Sequence, residues 1–261
     1  MLHKEGIFKG LKNFSIYYQC WLPETQAKAV LLIAHGFAEH SGRYSNVVNY
    51  FVPGSYAVYA LDHRGHGRSE GERVQVDDFS DYIKDLNTFF NIVRQENPHE
   101  KIFLIGHSMG SVISLLYTVA YPNDLAGLVT SGGGLVRPGD PSLPLRPPGQ
   151  PLPISMLSRD PAVISTYEND PLVYRGPIPR RSANGDTLRK LYNMVPQIRL
   201  PVLIMAGTGG PDGAHSRVLY EHIGSKDKTL KLYEGLLHEI FNEPEHLQVM
   251  ADLEAWLKVH I

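Results

Sequence analysis

Apolar residues in this chain fall into short, nearly continuous runs, separated by stretches where they recur every third or fourth position. The runs cover residues 14–22, 29–34, 56–62, 101–106, 125–131, 201–207 and 229–235, with AVLLIA at 29–34 the purest of them. Runs of this length, rich in β-branched and aromatic residues, predict strands buried on both faces. Helical spacing covers residues 78–96, 111–121, 216–223 and 245–260. Polar turns are expected at 10–13 and 23–28. Strands alternating with helices predict an α/β fold, a mainly parallel twisted sheet of about eight strands with helices on both faces. In such sheets the working site lies beyond the C-terminal ends of the strands.

One stretch breaks the alternation. Eleven of the 19 prolines lie between residues 135 and 190, among them the run PGDPSLPLRPPGQPLP at 138–153. Leu143, Leu145, Leu152, Ile154, Met156 and Leu157 sit within or just after that run, so it is not a plain polar linker. It follows a strand end beside the expected site, and helical spacing returns at 158–174. The segment reads as a cap of short helices, with a disordered surface insertion as the alternative for its proline-dense first half. The expected division is a core of residues 1–134 and 191–261, with residues 135–190 inserted as the cap.

Candidate chemistry centres on residues 101–121, KIFLIGHSMGSVISLLYTVAY. A strand-like run leads into Gly106-His107-Ser108-Met109-Gly110 and then into helical spacing. This is the strand, sharp turn and helix context that a G-x-S-x-G nucleophile elbow requires. Ser108 must then take a strained backbone conformation, and Gly106 and Gly110 are needed because a Cβ at either position would collide. The Met109 N–H opens the helix, where partial positive charge collects.

A serine hydroxyl needs a base to take its proton, and the base needs a carboxylate to fix its tautomer. The chain order for this fold is serine, acid, histidine. His238 lies just past the last predicted strand and before the last helix, where the base belongs. The pair His238-Glu239 starts a zinc-like motif, but residue 242 is Asn, so H-E-x-x-H fails. A second oxyanion donor is expected after the strand ending at Ala34, where His35-Gly36-Phe37 follows, with the Phe37 N–H joining that of Met109. The run from Asp62 to Ser69 and His107 inside the elbow both read as structural.

Composition narrows the remaining classes. The 261 residues are 43% apolar with a net charge of −2, and no Lys/Arg cluster marks a nucleic-acid or membrane surface. Cys20 is the only cysteine, so intramolecular disulfides and cysteine metal sites are excluded. The N-terminus has no apolar signal region, so a soluble, unexported, cytoplasmic protein is expected.

Five segments carry a family resemblance: HGFAEHSGRY at 35–44, LDHRGHGRSEG at 61–71, GHSMGS at 106–111, LSRDPAVISTYENDPLVY at 157–174 and TLKLYEGLLHE at 229–239. Through them the chain resembles the α/β-hydrolase superfamily nearly end to end, and within it the monoacylglycerol lipase and lysophospholipase-like serine hydrolases. The resemblance implies a cap over an apolar acyl tunnel, a lipid ester substrate and no metal or organic cofactor. It also implies Phe37 and Met109 as oxyanion donors, and places Glu39 and Arg43 near the polar alcohol pocket. Exposed apolar side chains on such a cap would suit brief contact with a lipid surface.

The chain departs from the family pattern in two places. One is the proline-dense first half of the cap. The other is the acid: after the strand at 201–207 the family has G-T-x-D, whereas this chain reads Gly207-Thr208-Gly209-Gly210-Pro211-Asp212. The expected position holds Gly210, and Asp212 is the nearest carboxylate in the right chain order. The leading expectation is an ester hydrolase using Ser108, His238 and Asp212. The same machinery could serve a carboxylesterase, lysophospholipase or thioesterase, and a non-catalytic lipid-binding member is the alternative from another class.

Overall fold

The computed structural model describes residues 1–137, 139, 149–179 and 185–261. The expected Leu143 and Leu145 of the cap lie outside the described residues. Eight strands form one sheet in the order β1-β2-β4-β3-β5-β6-β7-β8. They are β1 (Leu2–Lys9), β2 (Ser15–Leu22), β3 (Ala29–Ala34), β4 (Tyr56–Leu61), β5 (Ile102–His107), β6 (Gly127–Ser131), β7 (Val202–Gly207) and β8 (Lys228–Tyr233). β1 and β2 pair antiparallel, β2 also pairs antiparallel with β4, and every later pairing is parallel.

Helices α1 (Ser45–Phe51) and α7 (His246–His260) cover one face of the sheet. Helices α2 (Ser80–Glu96), α3 (Met109–Ala120) and α6 (Asp212–His222) cover the other. β3 shows why the runs are apolar throughout: Val30, Leu32 and Ala34 point into one core, while Ala29, Leu31 and Ile33 point into the other. Successive side chains alternate across a strand, so a strand between two cores has no polar position to offer. Cys20 is buried among these residues, and burial pushes its thiol up to about 11.

Helix α4 (Pro161–Asn169) and a short turn at Ile154–Met156 lie within residues 135–190. Leu157, Tyr167 and Val173 make a small apolar cluster there, with Ile154 and Ile164 against it. Helix α5 (Gly185–Met194) leads back to the main core, where Leu191 is fully buried. Among the described residues, no helix is long and apolar enough to cross a membrane.

Candidate active site

The turn between β5 and α3 carries Ser108 at φ 53°, ψ −115°. A residue with a Cβ enters that region only under strain. A Cβ on Gly106 would strike the Gly110 carbonyl and Ser114 Oγ, and one on Gly110 would strike the carbonyl oxygens of Ala34 and His35. The expectation that neither position admits a side chain therefore holds. The Ser108 N–H donates to Ser131 O at 2.9 Å and Ser111 Oγ to Gly106 O at 2.8 Å, tying the turn to β5 and β6.

Past β8 the chain turns at Gly235 and reaches His238. Its Nδ1 lies 2.8 Å from Asp212 Oδ2, with both side chains largely buried. Asp212 gets there because α6 starts at that residue, four positions earlier than the helical spacing predicts. The Gly209 N–H donates to Leu236 O at 2.9 Å, joining the acid turn to the histidine loop. Gly132, at φ 57°, keeps space open for the imidazole: a Cβ there would stand 3.2 Å from His238 Nδ1. The His107 ring packs 4.8 Å from the His238 ring, and its own Nδ1 is 3.1 Å from Ser131 O. Burial and the neighbouring His238 lower the His107 pKa to about 3, so it is a neutral packing residue. Ser108, Asp212 and His238 line one cavity of about 260 Å³, whose walls include Met109, Val112, Leu135, Val136 and Met156.

Met109 is the first residue of α3, so its N–H has no acceptor within the helix. The turn carrying Phe37 abuts the serine, since a Cβ on Gly36 would stand 3.3 Å from Ser108 Cβ. Glu39 holds this turn. Its Oε1 accepts from the Gly36 N–H at 2.6 Å and from Tyr44 OH at 2.8 Å, and its Oε2 accepts from Arg43 at 3.1 Å. Arg43 also forks onto Glu239, at 2.6 and 2.8 Å, and lies over the Tyr167 ring of α4.

Glu39 and Arg43 thus lie in a buried ion-pair network, and neither lines the cavity beside Ser108. Burial alone would raise the Glu239 carboxyl, but Arg43 outweighs it and leaves the pKa below its ordinary value. The run after β4 is built for support. Asp62 accepts from Ser41 N–H, Ser41 Oγ and Arg68 N–H, while Gly65 and Gly67 take positive φ.

Residues 154–174 are fastened to both sides of the site. The His238 and Glu239 N–H groups donate to Met156 O and Leu157 O, at 3.1 and 2.7 Å. The Tyr174 N–H donates to Ala38 O at 2.8 Å, and His40 Nε2 meets Asp170 Oδ2 at 2.8 Å. Glu243, fully buried, accepts from Leu237 N–H and from both the N–H and the guanidinium of Arg159. Glu239, Tyr44 and Glu243 hold positions in the site that the sequence pattern does not assign them. The nearest signal was the position of Glu239 directly after His238.

A doubly covered sheet with a serine on a strained strand-to-helix turn, and a histidine held by a carboxylate beside it, defines the α/β-hydrolase class. The family model described as serine aminopeptidase, S33 (Hydrolase_4) matches residues 25–245, and the chain belongs to that family. It is 37% identical to a monoacylglycerol lipase of Mycolicibacterium smegmatis, covering 98% of each chain. It is 31% identical to the monoglyceride lipase of Mus musculus, over 94% of this chain and 88% of that one. The crystal structure of Paleococcus ferrophilus monoacylglycerol lipase superposes at TM-score 0.76 with 29% identity, covering 100% of both chains.

Proposed function

We propose that the protein is a serine ester hydrolase that releases a fatty acid from monoacylglycerols through an acyl-enzyme. The observation that carries this reading is the 2.8 Å contact of His238 Nδ1 with Asp212 Oδ2, in one cavity with a serine on a strained turn. Asp212 holds the imidazole with its proton on Nδ1, leaving Nε2 as the base. Ser108 Oγ attacks the ester carbonyl as His238 takes its proton. The Phe37 and Met109 N–H groups stabilise the oxyanion. Collapse breaks the bond to the alcohol oxygen, which receives the proton from His238. Water, deprotonated by His238, then attacks the acyl-enzyme, and release of the fatty acid restores Ser108.

Support for the substrate class comes from the lipases to which the chain is similar over nearly its whole length, and from the apolar cavity wall. Residues 135–190 act as the cap over the acyl chain. Its described apolar residues Leu152, Ile154 and Met156 are partly covered, which limits what the cap offers a lipid surface. Contact with such a surface predicts faster turnover on aggregated than on monomeric substrate, and equal rates would count against it.

Glu39 and Arg43 serve the site through their neighbours. Glu39 holds Gly36, and Arg43 holds Glu239, the residue after His238. The function is tested by the initial rate of fatty-acid release from a medium-chain monoacylglycerol. Wild type should release it steadily, and Ser108→Ala should lose on the order of 10⁶-fold in turnover. Turnover retained by folded Ser108→Ala would refute the assignment.

A further inference from the structure

His35, the first residue past β3, is fully buried and lies outside the reaction steps above. Two hydrogen bonds fix its state. The His63 backbone N–H, which can only donate, points at His35 Nε2 at 2.8 Å. Nε2 must therefore carry the lone pair, and the proton sits on Nδ1, 2.7 Å from Gly36 O. The opposite tautomer would set two donors against each other at one nitrogen and two acceptors at the other. The charged ring would also put a donor against the His63 N–H. Burial lowers the His35 pKa to about 4, in keeping with a neutral ring.

The acceptor of the Nδ1 proton belongs to the peptide that joins Gly36 to Phe37. That peptide is trans, so its C=O and N–H point in opposite directions across one rigid plane. An imidazole holding the Gly36 carbonyl on the inner side therefore aims the Phe37 N–H outward. Glycine at position 36 is needed for the approach to Ser108, since a Cβ would stand 3.3 Å from Ser108 Cβ. The same glycine makes rotation of the following peptide easy, because both orientations are sterically open to it. Glu39 does not prevent this, since it holds the Gly36 N–H, which belongs to the preceding peptide.

We infer that His35 is a positioning residue: its Nδ1–H grips the Gly36 carbonyl and so locks the Phe37 N–H in the direction of the oxyanion. This rests on the reading of Ser108 as nucleophile and Phe37 as an oxyanion donor. A preset donor stabilises the tetrahedral state and does little for ground-state ester, so His35 governs kcat and not KM.

Three variants separate this role from general support of the fold. H35L keeps bulk and removes both hydrogen bonds. H35Q reaches the His63 N–H with its longer amide but not the Gly36 carbonyl. H35N sets an amide donor near the place of Nδ1 and restores the grip on Gly36. The readouts are kcat and KM on a medium-chain p-nitrophenyl ester, the affinity for an alkyl boronic acid that forms a tetrahedral adduct on Ser108, and thermal unfolding.

H35L and H35Q should lose about 10- to 100-fold in kcat with KM nearly unchanged, and boronate affinity should fall in proportion. H35N should recover most of both. If H35L is recovered unfolded, the comparison of H35Q with H35N decides. Wild-type kcat in folded H35Q, a kcat loss with full boronate affinity, or H35N as impaired as H35Q would each overturn the inference. A folded wild type that neither turns over the ester nor binds the boronate would overturn the serine reading itself, and the inference with it.

Discussion

The nucleophile turn and the acid turn are both strand-to-helix connections at the same edge of the sheet, with β6 between them, yet they are built on opposite terms. In the elbow one residue, Ser108, separates β5 from α3, and the glycines beside it are walled in by backbone oxygens. In the acid turn Thr208, Gly209, Gly210 and Pro211 separate β7 from α6; a Cβ on Gly209 would meet the Gly235 carbonyl oxygen at 2.8 Å, but one on Gly210, nearer the acid, would meet nothing within 4 Å. The serine must stand at one strained place, because it has to face the base, the oxyanion donors and the substrate together. The acid has a single duty, to meet His238 Nδ1. A carboxylate arriving from any nearby backbone can do that, which is why Asp212 in a rearranged loop still reaches 2.8 Å.

The contrast can be broken at several points. Asp212→Asn keeps the shape of the acid turn but presents the wrong partner to Nδ1. It should lower kcat by about 10⁴-fold with KM little changed. A loss below tenfold would mean that another group orients His238. Gly110→Ala forces a Cβ against the Ala34 and His35 carbonyls. It should cost about 3 kcal/mol or more in a urea melt, and a stability equal to wild type would show a slack elbow.

Acid should weaken the elbow side. His35, His66 and His107 are buried, with pKa values lowered by burial to about 4, 3 and 3, and His63 is lowered well below its ordinary value. The unfolded chain then binds more protons than the folded one between pH ~6.5 and ~4, so stability falls as pH falls through that window. Between pH 7 and 5 the loss is about 2 kcal/mol for each of His35, His66 and His107, with His63 acting in the same direction, and a flat urea midpoint would contradict it. The smallest effect, opposite in sign to that of Gly110→Ala, is Gly210→Ala. It removes freedom from the unfolded chain without a clash and should add about 0.4–1 kcal/mol. A loss of stability there would show the acid turn to be as constrained as the elbow.

The contrast also explains what could be read in advance. β3, β4, β5 and β7 were legible because a strand buried on both faces must be apolar at every position. The elbow was legible because collision constraints force glycine into fixed places. β1 escaped because an edge strand with most side chains exposed needs no apolar run, and LHKEGIFK has none. α1 is only seven residues long, too short to establish a period. The early start of α6 was signalled by Pro211 followed by acidic Asp212, a pattern typical of a helix start. Glu39 finds its partners Gly36, Arg43 and Tyr44 within five positions, but the pairing of Arg43 with Glu239 was out of reach, because the two lie 196 positions apart and meet only in the folded chain.

The most direct test of an activated Ser108 is labelling with an alkyl fluorophosphonate, followed by peptide mapping. One phosphonyl group per chain should attach to Ser108, more slowly after prior addition of monoacylglycerol, and none should attach to Ser108→Ala. Folded wild-type protein that takes up no label, or carries it on another residue, would contradict an activated Ser108.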